Sequence, residues 1–139
     1  MTPKEKELDI LTRTIWGEAR NQGYEGQVAV AWTIKNRALS PITWWGTDIT
    51  SVCLKPWQFS CWNKNDPNYA YLSGQKAIPA VQYELAKEAA RAVLEGRVPD
   101  PTGQATHYYA TSMKTPPKWT VGATKTVQIR QHIFYKNVP

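Results

Sequence analysis

The chain has 139 residues, 42% hydrophobic and 20% charged, which suits one globular domain with a real core and excludes a disordered segment. A net charge of +6 and a pI near 9.4 point to a polyanionic partner: nucleic acid, an anionic membrane or an acidic cell-wall polymer. Seven Trp and seven Tyr stand against two Phe, a bias toward rings with a polar tip that suits stacking on sugars as well as packing. No apolar run reaches the length of a membrane span, and residues 1–7 hold no signal-peptide core, so synthesis in the cytoplasm is expected. Cys53 and Cys61 are too few for a disulfide framework and read as two buried thiols. With His107 and His132 they show no zinc spacing, so neither a metal nor a cofactor is expected.

In chain order, Leu8, Leu11 and Ile15 recur at helical spacing and predict a first helix over residues 4–16. Glu18 follows in its last turn or just beyond, with Trp16 beside it and glycines at 17 and 23. A carboxylate there faces the partial negative charge of unpaired carbonyls. An aromatic wall that also excluded water would disfavour its ionised form a second time, the condition for an acid that still holds a proton near neutral pH. A solvated helix-end glutamate with no role is the alternative. Residues 25–39 carry Val28, Ala31, Trp32, Ile34 and Ala38 or Leu39 and predict a mostly buried second helix, ended by Ser40-Pro41.

Residues 42–72 concentrate Trp44, Trp45, Trp57, Phe59, Trp62, Tyr69 and Tyr71 with few aliphatic periods, and read as an irregular aromatic lobe with short helical turns. A third helix has Pro79 in its first turn, a face of Leu85, Ala89, Ala92 and Val93, and Gly96 as its stop. Residues 105–110 predict a short strand, and 126–135 a second, with Val127, Ile129 and Ile133 on one side and His132 and Phe134 on the other. The plan is one α+β domain spanning the chain, helices followed by a small antiparallel β part.

Trp16-Gly17-Glu18-Ala19-Arg20, continuing into Gly26-Gln27-Val28-Ala29-Val30-Ala31-Trp32-Thr33-Ile34-Lys35-Asn36-Arg37, resembles the opening motif of the spore cortex-lytic cell-wall hydrolases, the SleB/CwlJ-like family. Pro56-Trp57-Gln58-Phe59-Ser60-Cys61-Trp62 resembles the family's second motif. Ala105-Thr106-His107-Tyr108-Tyr109, Pro117-Lys118-Trp119 and His132-Ile133-Phe134-Tyr135 resemble its C-terminal blocks, so the likeness runs from about Thr12 to Tyr135. The peptidoglycan-binding domain and signal peptide of many spore members have no counterpart here. That makes the chain look like a phage or prophage endolysin, released to the cell wall through a holin.

The resemblance implies a lysozyme-like fold that cuts the β-1,4 bond between N-acetylmuramic acid and N-acetylglucosamine, with the family's glutamate falling on Glu18. It also implies lytic transglycosylation, in which the muramic C6 hydroxyl attacks C1 and leaves a 1,6-anhydro end. One residue then serves as acid and base. Hydrolysis at the same bond normally needs a second carboxylate. The other acids offer few partners: Glu5, Glu7 and Asp9 lie on the charged side of the first helix, and Glu84, Glu88 and Glu95 at exposed positions of the third. Glu25, Asp48, Asp66 and Asp100 sit in turns or at helix starts.

Substrate-binding candidates are Gln58, Phe59 and Ser60 in the second motif, Tyr108 as a hydrogen-bond partner of the sugar or of Glu18, and Trp62 and Trp119 as stacking rings. Alternation along the strand sends one of Tyr108 and Tyr109 into the core. His107 and His132 read as structural, and the Lys and Arg residues as a solvated face. The expected partner is a peptidoglycan strand met by a monomer, with no nucleic acid and no stable membrane insertion. A non-catalytic glycan-binding module would keep the aromatics without needing Glu18. A nucleic-acid-binding protein is opposed by the lack of a dense basic helix face or a binding motif.

Overall fold

The computed structural model describes residues 1–56 and 58–139. Trp57, part of the second motif, lies outside the described residues.

Helix α1 spans Pro3–Ala19. Thr2 caps it, accepting from the Glu5 N–H while Glu5 reaches back to the Thr2 N–H, and Pro3 occupies the first turn, where its missing donor costs nothing. The helix continues through Gly17 and Glu18 rather than stopping at residue 16. Gly17 is there for contact: a Cβ at this position would stand 2.7 Å from Cys61 Cβ and 2.8 Å from its sulfur. Helix α2 spans Gly23–Leu39 and buries Val28, Ala29, Val30, Ala31 and Ile34, so it is covered almost all round. Of the two candidates at its end, Ala38 packs against the core and Leu39 is 70% exposed.

The region after Ser40 has the irregular form expected: short 3-10 turns at Thr43–Trp45 and Ser60–Trp62, the six-residue helix α3 (Ile49–Leu54) capped by Asp48, and a single turn α4 (Tyr69–Leu72). Helix α5 spans Ala80–Leu94 and packs against α1 and α2 through Ala86, Ala89, Ala90 and Val93. Leu85, expected on that face, is 56% exposed. The small alanines set the buried stripe because they let three helices approach closely, and Leu85 is turned about 100° from Ala86. Cys53 and Cys61 are both buried free thiols.

Strands β1 (His107–Ala110), β2 (Thr124–Ile129) and β3 (His132–Lys136) form an antiparallel sheet in the order β1-β3-β2. The single strand expected over 126–135 is therefore a hairpin. Its tight turn, with Arg130 at φ 53, lacks the Gly, Asn or Asp that announces such a turn in a sequence. The reversal also changes which side chains share a face. Val127 pairs with Phe134 and Ile129 with His132, so these four lie together and Ile133 faces the other way. Phe134 is fully buried with Ala29 and Ala105 in a second, smaller cluster, separate from the main core of α1, α2, α3 and α5. Among the described residues no helix is long and apolar enough to cross a membrane.

Candidate active site

Helix α2 holds the sheet at both ends. Near its start, buried Gln22 accepts the Gln131 N–H at 2.9 Å and donates to the Gln131 side chain at 3.2 Å, fixing the β2–β3 turn. Near its end, Asn36 donates to the Ala105 carbonyl and to Asp100, while Arg37 Nε donates to the Thr106 carbonyl. Asp100 in turn accepts the backbone N–H groups of Thr102 and Gln104 and closes the loop before β1. The strand therefore enters over the end of α1 in one register, and alternation then points Tyr108 inward and Tyr109 outward.

The result is a contact across the molecule: Tyr108 Oη donates to Glu18 Oε1 at 2.6 Å. Burial and the nearby Glu18 raise the Tyr108 phenol well above its ordinary range, so it keeps its proton and stays a donor. The Cys61 thiol, pushed up by burial and by Glu18, also stays protonated. The ring of Tyr108 packs on His132 at 4.7 Å and Phe134 at 5.5 Å, which fixes the phenol's direction. Trp16 does not supply the expected wall. Two positions along a helix point about 200° apart, and its indole donates to Gln82 on α5 at 2.8 Å while its ring packs on Tyr71. The surroundings of Glu18 are Tyr108 and Cys61 instead.

On its other side Tyr108 lines a pocket of about 340 Å³. Arg37, 7% exposed, sits in its wall with the guanidinium 5.2 Å from the Phe59 ring and 5.8 Å from Trp45. Burial pulls Arg37 down to about 10, which leaves it cationic at neutral pH. Burial and the Arg37 charge hold His107 down at about 3, so its imidazole is neutral. Trp44, Trp119 and Lys55 complete the rim. A larger cleft of about 600 Å³ lies beside the C-terminal residues, but it reaches neither Glu18 nor Tyr108.

The expected site residues divide. Glu18 and Tyr108 are brought together, and Trp119 lines the same pocket, its ring 5.1 Å from His107. Gln58 also lines it, but its amide donates to the Trp45 and Val52 carbonyls, which ties the loop rather than offering donors to a ligand. Phe59 is 3% exposed and supports Arg37 from beneath instead of facing the cleft. Ser60 opens the short turn packed on Gly17 and is not among the described lining residues. Trp62 donates to Thr14 at 2.9 Å and borders a different pocket with Leu54 and Asn63. Arg37, Lys55 and Trp45 line the pocket without being among the residues expected there. For Arg37 a signal existed: it continues the buried face of Val30 and Ile34, where a solvated arginine has no place.

The helical body with its small antiparallel sheet has a lysozyme-like architecture, and the Glu18–Tyr108 pair lies where the two meet, beside a pocket with aromatic and cationic walls. The cell wall hydrolase family matches residues 21–135, a span that opens just after Glu18. A spore cortex-lytic enzyme of Bacillus subtilis (strain 168) is 32% identical over 128 residues, covering 92% of this chain and 37% of that protein. One from Halalkalibacterium halodurans is 31% identical over 130 residues, 94% of this chain and 34% of that protein. Among solved structures, the catalytic domain of the Bacillus cereus SleB protein superposes with a TM-score of 0.72 at 30% identity, over 95% of this chain and 91% of that one. The catalytic domain of the germination-specific lytic transglycosylase SleB from Bacillus anthracis gives 0.70 at 28% identity, over 98% and 97%. The chain belongs to the cell wall hydrolase family. It spans about a third of these two curated relatives' length and nearly all of the two solved domains.

Proposed function

We propose that this chain cleaves the β-1,4 bond between N-acetylmuramic acid and N-acetylglucosamine in peptidoglycan as a lytic transglycosylase, with Glu18 as both acid and base. The observation that carries the reading is the Tyr108–Glu18 hydrogen bond. A phenol that never gives up its proton occupies Oε1 as a donor, so the transferable proton belongs on Oε2. In the first step that proton passes to the leaving glycosidic oxygen as the bond to C1 breaks. In the second, the carboxylate takes the proton of the muramic C6 hydroxyl as its oxygen bonds C1, closing the 1,6-anhydro ring and restoring the acid without consuming water.

Transglycosylation is favoured over hydrolysis because no Asp or Glu is among the described residues lining the pocket beside Tyr108, and several of the acids are engaged elsewhere. Glu25 is bound by Arg130, Asp9 by Arg13 and Tyr83, Asp48 caps α3, and Asp100 closes the loop before β1. Mass spectrometry of peptidoglycan digested by the wild type and by Glu18→Gln tests the proposal. Anhydro-muramic products that vanish in the variant are expected. Reducing-end products would move the mechanism to hydrolysis, and fragments from neither protein would leave a glycan-binding module as the reading.

A further inference from the structure

The pocket beside the Glu18–Tyr108 pair is lined by cations. Arg37 is buried in its wall, and only its Nε is committed, to the Thr106 carbonyl; its other N–H groups have no acceptor among the described residues. Donors that open onto a pocket are free to meet an acceptor placed there. Lys55 adds a second cation at the rim, and no Asp or Glu is among the described lining residues. The other titratable groups there, His107 and Tyr108, are neutral at physiological pH. Glu18 lies beyond the Tyr108 phenol, near enough for its charge to act on Arg37 but outside the described pocket lining. Above this floor stand Trp119 and Trp44, the latter 63% exposed, a large uncovered ring of the sort that stacks on a sugar face.

Building on the peptidoglycan reading, we infer that this pocket is a subsite for a carboxylate-bearing muramyl unit, with Arg37 and Lys55 holding the carboxylate and Trp44 and Trp119 flanking the ring. Such a unit has two sources of that group: the lactyl ether of an unsubstituted muramic acid, and the free end of a stem peptide. Both present the planar acceptor pair that a guanidinium fork meets with two parallel hydrogen bonds.

The test uses the Glu18→Gln protein, which holds an oligosaccharide without cutting it. Three tetrasaccharides of alternating N-acetylglucosamine and N-acetylmuramic acid are titrated by calorimetry: one with free lactyl carboxylates, one with these converted to methylamides, and one carrying stem peptides with free termini. A carboxylate form is expected to bind about tenfold more tightly than the methylamide, and the tighter of the two identifies the source. Lys55→Gln on the same background, a change at an exposed position that spares the core, is expected to remove much of that preference and weaken its salt dependence. Equal affinity for charged and neutral forms, or no binding of any form, overturns the subsite. If wild type releases no fragments from peptidoglycan while the preference persists, the cleavage reading fails and the subsite stands. If wild type cuts and the preference is absent, the subsite alone falls.

Discussion

At the junction of the first two helices the chain carries Glu18 in the closing turn of α1 and Glu25 in the opening turn of α2. Both are completed by the C-terminal sheet. Glu25 accepts Arg130 Nε at 2.7 Å in the open, with side chains 58% and 52% exposed, and that hydrogen bond holds its carboxyl below the usual range. Glu18, partly buried, accepts a phenol. A cation in contact commits a carboxylate to its ionised form, whereas a phenol donates without adding charge. The contrast teaches that position at a helix end does not assign the chemistry of an acid. The group delivered from the distant sheet sets its surroundings: a cation for Glu25 and a neutral donor for Glu18.

Glu18→Gln should have the largest effect, lowering peptidoglycan solubilisation on the order of 10³-fold while the melting temperature moves by about 2 °C or less, since the amide fills the same space. Tyr108→Phe should follow at roughly 10- to 100-fold, read from the rate of fragment release, because the hydrogen bond that orients the Glu18 carboxyl is lost with little change in packing. Full activity in that variant would reduce the contact to packing and erase the distinction from Glu25. A third test uses His107, held at about 3 against an ordinary 6.5. Between these values the unfolded chain binds the extra proton, so stability is fully present above the ordinary value and is lost as the pH falls toward the lower one. Melting temperature should drop by roughly 5 °C between about pH 7 and pH 4, and less in His107→Gln; His132, shifted the same way by burial, and the lowered carboxyls of Glu25 and Asp48 add to the loss. Smallest is Glu25→Gln, for which activity should be unchanged and the melting temperature should move by about 2 °C or less, as befits an exposed ion pair.

Much of this was legible beforehand, for reasons that differ by region. The periodicity of Leu11 and Ile15, and the alanines of α5, exposed the helical body because a core leaves a repeat in the sequence. Glu18 stood out through its neighbours, whereas strand alternation left Tyr108 and Tyr109 as alternatives until the register of β1 chose between them. Gly17 misled: it reads locally as a helix end, yet its reason is the side chain of Cys61, far along the chain. The β2–β3 turn was invisible because it is held by Gln22 rather than by turn residues of its own. Phe59, a candidate through its motif, packs inward, and Trp62, a candidate as a stacking ring, borders a different pocket, since an aromatic ring carries no mark of which surface it meets.

The unequal size of the two buried clusters has a thermal consequence. The sheet rests on Ala29, Ala105 and Phe134, a small patch beside the extensive core shared by the helices, and Tyr108 touches both. Detaching the sheet therefore forfeits far less burial than melting the helices, so it is the cheaper sub-global opening. Amide hydrogens of β1 and β3 should exchange faster than those of α1 and α2. Each opening also carries Tyr108 away from Glu18 and takes apart the pocket's sheet-side wall. On warming, the catalytic signal is then expected to fade several degrees before the helical circular dichroism does. The working lifetime of such a protein is set by the grip of Gln22, Asn36 and Arg37 on three strands, and much less by the depth of its main core.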